Sequence, residues 1–156
     1  MPMPPIAEQN WQILNRFDAL AKTAKEVSNW LADLPLSSRA KYSAVLAVEE
    51  MITNIIKYGY DDTNDHLIRF SIAIERDHVK LVFEDDGHPF DPTQRPPPDI
   101  ENIVQSQKSG GLGIELVRRM CTRMSYERDA NLNRLTLLIR RLQPDDTQFI
   151  SLSAMP

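Results

Sequence analysis

The stretch SSRAKYSAVLAVEEMITNIIKYG, residues 37–59, and the LIRFSIAIERDHVKLVFE that follows it at residues 67–84 together decide the fold class. In the first, Val45, Val48, Ile52, Ile55 and Ile56 recur at helical spacing. Ser37 is a capping residue ahead of them and Gly59 a stop behind them, so a helix is predicted over Ser38–Tyr58. In the second, Ile68, Phe70, Ile72 and Ile74 alternate with smaller or polar residues, which predicts a strand over Leu67–Glu75. Arg76–His78 turns the chain, and Val79–Glu84 returns as the second strand of a hairpin.

Working outward, prolines at 2, 4 and 5 suggest a flexible start over residues 1–7, and Glu8–Leu14 reads as a short strand. From Phe17, the residues Leu20, Ala21, Ala24, Val27, Trp30, Leu31 and Leu34 trace an apolar helix face that Pro35 stops. Beyond the hairpin, Pro89–Gly110 has no periodicity and holds five prolines (89, 92, 96, 97 and 98), the signature of a lid or a long loop. Gly113–Cys121 reads as a helix, and Met124–Arg128 with Arg134–Arg141 as a second hairpin across an Ala130–Asn133 turn. One domain is expected over residues 8–142, with a tail over 143–156. The expected class is α+β: a mostly antiparallel sheet with helices on one face, forming a two-layer sandwich.

Composition narrows the function. With 156 residues, 42% hydrophobic and 26% charged, the chain is long enough to bury a core without staples. A formal charge of −4 argues against coating nucleic acid, because that affinity comes from neutralising many phosphates. The single cysteine, Cys121, excludes an internal disulfide and a thiolate metal cluster. The first residues lack a signal-peptide pattern and no apolar run is long enough to span a bilayer, so a cytoplasmic protein without membrane contact is expected.

Three places carry chemistry. Glu50 and Asn54 lie four apart on the long helix, beside its apolar stripe, where a carboxylate is costly unless something compensates. An amide oxygen at Asn54 suits Mg²⁺, and Glu50 suits a base that orients or deprotonates a hydroxyl; an exposed polar pair is the plainer alternative, and Glu49 competes for the carboxylate role. Asp85-Asp86-Gly87 follows a strand, placing a carboxylate where it can accept from an amino group and a glycine where the backbone can approach a flat base. Alone, it would be only a turn. Gly110-Gly111-Leu112-Gly113 precedes a helix and frees backbone N–H groups for phosphate oxygens, or else serves as a hinge. Lys108 stands just upstream, within reach of a terminal phosphate.

Taken in order, Glu50–Asn54, Asp85-x-Gly87 and Gly110–Gly113 resemble the N box and the two glycine boxes of the GHKL ATPase superfamily. The strings AVEEMITNIIKYGY (47–60), DDGHPFDP (85–92) and GGLGIELV (110–117) are similar to the small anti-sigma-factor serine/threonine kinases of the RsbW type. The resemblance spans roughly Glu8–Arg141 and implies the Bergerat α/β sandwich. It implies ATP and Mg²⁺ as cofactors, Glu50 as general base, Asn54 as metal ligand, and Asp85 as adenine reader above Gly87. Gly110, Gly111, Leu112 and Gly113 would form the phosphate loop, Pro89–Ser109 the ATP lid, and Thr136 a residue on the adenine side.

As partners, the resemblance implies an anti-sigma-factor antagonist as phosphoacceptor, a sigma factor, and a second copy in a homodimer. Pro89 stands where the histidine-kinase branch carries a second glycine, and Lys57-Tyr58 where many relatives carry a histidine. Two functions are weighed: a kinase that phosphorylates a Ser or Thr of the antagonist, and a non-catalytic partner-switching module that holds ATP as a structural ligand. Slow ATP hydrolysis driving a conformational change is a third.

Overall fold

The computed structural model describes residues 3–94 and 110–144. Five strands form one antiparallel sheet in the order β1-β2-β3-β5-β4, with β1 at Ala7–Leu14, β2 at Leu67–Ile74, β3 at His78–Asp85, β4 at Arg123–Asp129 and β5 at Leu132–Arg140. Three helices among the described residues accompany it: α1 at Phe17–Leu31, α2 at Ser38–Tyr58 and α3 at Gly110–Met120, with a single 3-10 turn at Pro92–Gln94. The expected α+β architecture is what is found.

The strand alternation builds the core. Ile68, Phe70, Ile72 and Ile74 of β2, Val79, Leu81 and Phe83 of β3, and Leu135, Leu137 and Ile139 of β5 are all buried on one face. That face packs under Leu20, Val27 and Leu31 of α1 and under Ala44, Ala47, Val48, Met51 and Ile52 of α2. The buried stripe of α2 is therefore centred on small residues next to the Val45–Ile56 stripe read from the sequence, with Val45, Ile55 and Ile56 only partly buried. Alanines let this helix approach its neighbours closely, and close packing is what core stability rewards. Trp11 of β1 stacks on Phe70 (centroids 4.9 Å apart) and meets Trp30 edge-on, sealing one end of the core.

The signals of α2 hold to the residue, whereas α1 ends at Leu31, short of the Pro35 expected to stop it. Ser37 Oγ accepts from the Ala40 N–H (3.2 Å), satisfying one of the orphan donors of α2. Ser37 also donates to the Arg141 carbonyl, and Arg141 donates to the Pro35 carbonyl, so the end of β5 is tied to the α1–α2 turn. Several boundaries differ from expectation. Pairing of β1 begins earlier, since the Ile6 N–H already donates to the Ile74 carbonyl (2.7 Å). Gln143, expected in the tail, donates its N–H to Ser37 Oγ; residues 145–156 lie outside the described residues. The glycine run Gly110–Gly113 lies inside the first turn of α3, where a loop ahead of a helix was expected.

The β4–β5 turn is shorter than expected too. Only Ala130 and Asn131 lie between the strands, both with positive φ (49° and 68°). Two such residues make the I′ hairpin turn that matches the strand twist, at a steric cost for alanine. Asn133, expected in this turn, is therefore a strand residue.

Candidate functional site

The carboxyl end of β3 and the last two turns of α2 form the walls of a mostly apolar cleft. Met51, Ile55, Phe83 and Leu135 supply much of its apolar surface, and Asn54, Asp85 and Asn133, with Tyr58, His88 and Tyr126, its polar groups. A pocket with few, convergent polar groups on apolar walls is the usual form of a small-ligand site.

Asp85 is 8% exposed, and burial raises its carboxyl above the ordinary carboxylate value, against the lowering effect of donors from Asn133 and Gly87. Both donors fall on one oxygen: Oδ1 accepts from the Gly87 N–H (2.9 Å) and from Asn133 Nδ2 (3.0 Å). Among the described residues no buried side-chain N or O atom lacks a partner. Among the described residues Oδ2 has no hydrogen-bond partner, and Asp85 lines the cleft. Asn54 follows the same logic. Its Nδ2 donates to the Glu50 carbonyl (2.9 Å), which leaves Oδ1 as an open acceptor on a side chain that also lines the cleft.

Glu50 sits one turn earlier and is half-buried, whereas its competitor Glu49 is exposed. Burial first, and then the neighbouring Glu49 charge, raise its carboxyl, while Lys57 opposes the shift. That carboxyl lies directly against the backbone of Gly113: a Cβ there would collide with Oε2 and stand 2.5 Å from Cδ. The absent side chain of Gly113 makes room for Glu50. Leu112 beside it is 40% exposed, and the first-turn N–H groups of α3 have no partner within the helix. Lys108 and the lid beyond Gln94 lie outside the described residues.

Gly87 is required for a reason the sequence did not disclose. A Cβ on it would stand 2.6 Å from the Gly59 carbonyl oxygen and 3.0 Å from Gly59 Cα. The His88 N–H donates to that same carbonyl (2.8 Å), locking the strand end to the end of α2. Gly87 thus serves a backbone–backbone approach. His88 itself is half-exposed and pairs with Asp61 (2.9 Å).

Thr136 is displaced from the site. It lies between buried Leu135 and Leu137, so the two-residue period turns it to the opposite face of the sheet, where it pairs with Val82 and Ser125. The β5 residue that meets Asp85 is Asn133, directly opposite it in the register. Asn133 is 5% exposed; its Nδ2 also donates to the Gly87 and His88 carbonyls, and its Oδ1 accepts from the Tyr126 hydroxyl and from Arg128 Nη1 (2.8 Å). Sequence reasoning missed Asn133, Tyr126 and Arg128. The available signal was a polar residue two positions before Leu135 on the same strand face.

On the far side of the cleft, Arg118 of α3 bonds the Pro92 carbonyl and Glu115, so α3 is tied to the 3-10 turn. Burial pushes the Cys121 thiol up to about 12. No helix among the described residues is long and apolar enough to cross a membrane, and no cluster of His, Cys, Asp and Glu there suits a metal on its own.

Comparison with known proteins adds a relationship to this geometry. The family model described as "Histidine kinase-like ATPase domain" matches residues 13–139. A serine/threonine-protein kinase, BtrW of Bordetella bronchiseptica, is 29% identical over 121 residues, covering 75% of this chain and 85% of that protein. The serine-protein kinase RsbW of Oceanobacillus iheyensis is 29% identical over 79 residues, covering 48% of this chain and 50% of that one. Among solved structures, the RsbU and RsbW domains of Rv1364c from Mycobacterium tuberculosis superpose with a TM-score of 0.63 at 15% identity, over 90% of this chain and 34% of that one. That superposition speaks to the fold alone.

Proposed function

The chain belongs to the histidine kinase-like ATPase domain family, and from that premise we propose that it binds Mg-ATP in the Asp85–Asn54 cleft and phosphorylates a serine or threonine of an anti-sigma-factor antagonist. The observation that carries the reading is the pair of acceptors without a partner among the described residues, Asp85 Oδ2 and Asn54 Oδ1, on a mostly apolar cleft. An adenine ring suits the apolar walls, and its exocyclic amine suits Oδ2. Asn54 Oδ1 is the neutral oxygen that Mg²⁺ accepts while keeping most of its waters. The first turn of α3, with Gly110, Gly111, Leu112 and Gly113, would hold phosphate oxygens through backbone N–H groups, with Lys108 as an added cation.

In the reaction, the acceptor hydroxyl oxygen forms a bond to the γ-phosphorus as the bond to the β–γ bridging oxygen breaks. ADP leaves, and the hydroxyl proton passes to Glu50. A raised carboxyl is a better match for that proton than an ordinary one. Mg²⁺ supplies charge neutralisation, and most of the remaining catalysis is positioning. The partners in this reading are the antagonist, a sigma factor and a second copy of the chain. Relatives named as serine/threonine or serine kinases support the reaction class.

The test incubates the chain with γ-labelled ATP, Mg²⁺ and a candidate antagonist. Label should reach a Ser or Thr, and Glu50→Gln should reduce transfer by about 100-fold or more. Transfer at an undiminished rate in Glu50→Gln would remove Glu50 from the reaction. One observation favours a second reading, a partner-switching module with ATP as a structural ligand. The Glu50 carboxyl rests on Gly113 and Glu50 is absent from the cleft wall. Saturable ATP binding with no label transfer to any antagonist would select that reading.

A further inference from the structure

We propose that Asn133 is the positioning residue for Asp85, fixing the plane of its carboxylate so that one oxygen is presented to the base, and so setting the preference for a nucleotide that carries an exocyclic amine. The inference rests on the nucleotide reading of the cleft and goes beyond it to a residue and a selectivity.

The amide of Asn133 has only one workable orientation. On one side it faces three acceptors: Asp85 Oδ1 (3.0 Å), the Gly87 carbonyl (3.2 Å) and the His88 carbonyl (2.9 Å). On the other it faces two donors, the Tyr126 hydroxyl and the Arg128 guanidinium. A flipped amide would set its oxygen against three acceptors and its nitrogen against a cation. The network therefore assigns the orientation. Arg128 braces the same arrangement from a second point, donating to the Gly87 carbonyl (3.0 Å).

The consequence falls on Asp85. With Asn133 and Gly87 both donating to Oδ1, the carboxylate cannot rotate without breaking two bonds, both to buried partners. Oδ2 is left as a single acceptor open to the cleft. A base edge with an N–H₂ group satisfies it, whereas an edge with only a C–H leaves a carboxylate oxygen unpaired. Sites built around a fixed polar group reject the ligand that lacks its partner more strongly than apolar pockets reject a shape. Without Asn133, the carboxylate is free to turn toward water, and that discrimination is lost.

The experiment compares ATP with purine riboside triphosphate, which is the same nucleotide without the amine, by calorimetric titration. Wild-type chain should prefer ATP by about tenfold or more, and Asn133→Ala should narrow the preference to about twofold. A purely structural role would weaken both nucleotides alike and leave their ratio unchanged. Tyr126→Phe removes one of the two donors that hold Asn133, and should narrow the ratio by about threefold while circular dichroism shows an intact fold. It decides the matter if Asn133→Ala does not fold. A wild-type chain that binds neither nucleotide overturns the nucleotide reading and this inference with it. A wild-type chain that prefers ATP, with both folded variants keeping the full ratio, overturns the inference alone.

Discussion

Replacing Gly87 by alanine probes the junction on which the cleft depends. The added Cβ would stand 2.6 Å from the Gly59 carbonyl oxygen and 3.0 Å from Gly59 Cα, both of them backbone atoms. Ordinary contacts to carbon lie at about 3.5–4.0 Å, so the strand end and the helix end must separate by about half an ångström to one ångström. The hydrogen bond from His88 N–H to the Gly59 carbonyl resists that separation. Overpacking of this kind costs about 1–3 kcal/mol, and the lower chain entropy of alanine in the unfolded state returns ~0.4–1 kcal/mol of it. A net loss of roughly 1–2 kcal/mol lowers the melting temperature of a domain this size by about 2–8 °C. ATP affinity should fall by about tenfold, because Gly87 N–H also holds Asp85 Oδ1. Gly113→Ala is the control. Its nearest obstacles are all atoms of the flexible Glu50 carboxyl, so the melting temperature should stay within about 2 °C. Thermal melts followed by circular dichroism read both. Gly87→Ala melting at the wild-type temperature, or Gly113→Ala melting lower than it, would refute the reasoning.

Other perturbations separate the parts of the site. Gly113→Ala should cut phosphotransfer by about 100-fold while ATP affinity is retained, since it displaces Glu50 and leaves the cleft walls in place; comparing label transfer with a titration checks this. Burial holds the Asp85 proton more tightly in the folded chain than in the unfolded one. Its contribution to stability is therefore fully present below the ordinary value of 3.8 and is lost as pH rises through the raised folded value. Asp85→Asn keeps an oxygen for both donors and carries no charge, so its melting temperature should gain on wild type across that window and stay ahead at neutral pH; melts over a pH series test the sign. Thr136→Val should leave ATP affinity unchanged, because that side chain lies on the far face of the sheet. Ala130→Gly should raise the melting temperature by about 2–4 °C, because it relieves a positive φ of 49°.

How much of this was legible depended on how local each signal is. The α2 boundaries came from Ser37 and Gly59, a cap and a stop next to the helix they delimit. The β2–β3 hairpin came from a two-residue period confined to one face. Asn133 was not legible because its role depends on register: it meets Asp85 across β3–β5, 48 positions away in the chain. Thr136 was assigned by the resemblance alone, and its own strand could not check it: β5 is apolar on both faces there, with Leu135, Leu137 and Leu138 in close succession. The purpose of Gly87 was hidden for the same reason, since the atom that demands it belongs to Gly59 on another element. The four residues Glu50, Asn54, Asp85 and Gly113 could be named from order and spacing. The contact between Glu50 and Gly113, which joins two of those motifs, needed the packing of α2 against α3.

In the proposed function, one nucleotide is held through Asp85 in the cleft between β3 and α2. The most direct test is a calorimetric titration of wild-type chain and of Asp85→Asn with ATP in the presence of Mg²⁺. Wild type should bind saturably and one-to-one, and Asp85→Asn, whose amide turns a donor toward the adenine amine while its fold is retained, at least about tenfold more weakly. No binding by wild type, or equal binding by the two chains, would contradict it.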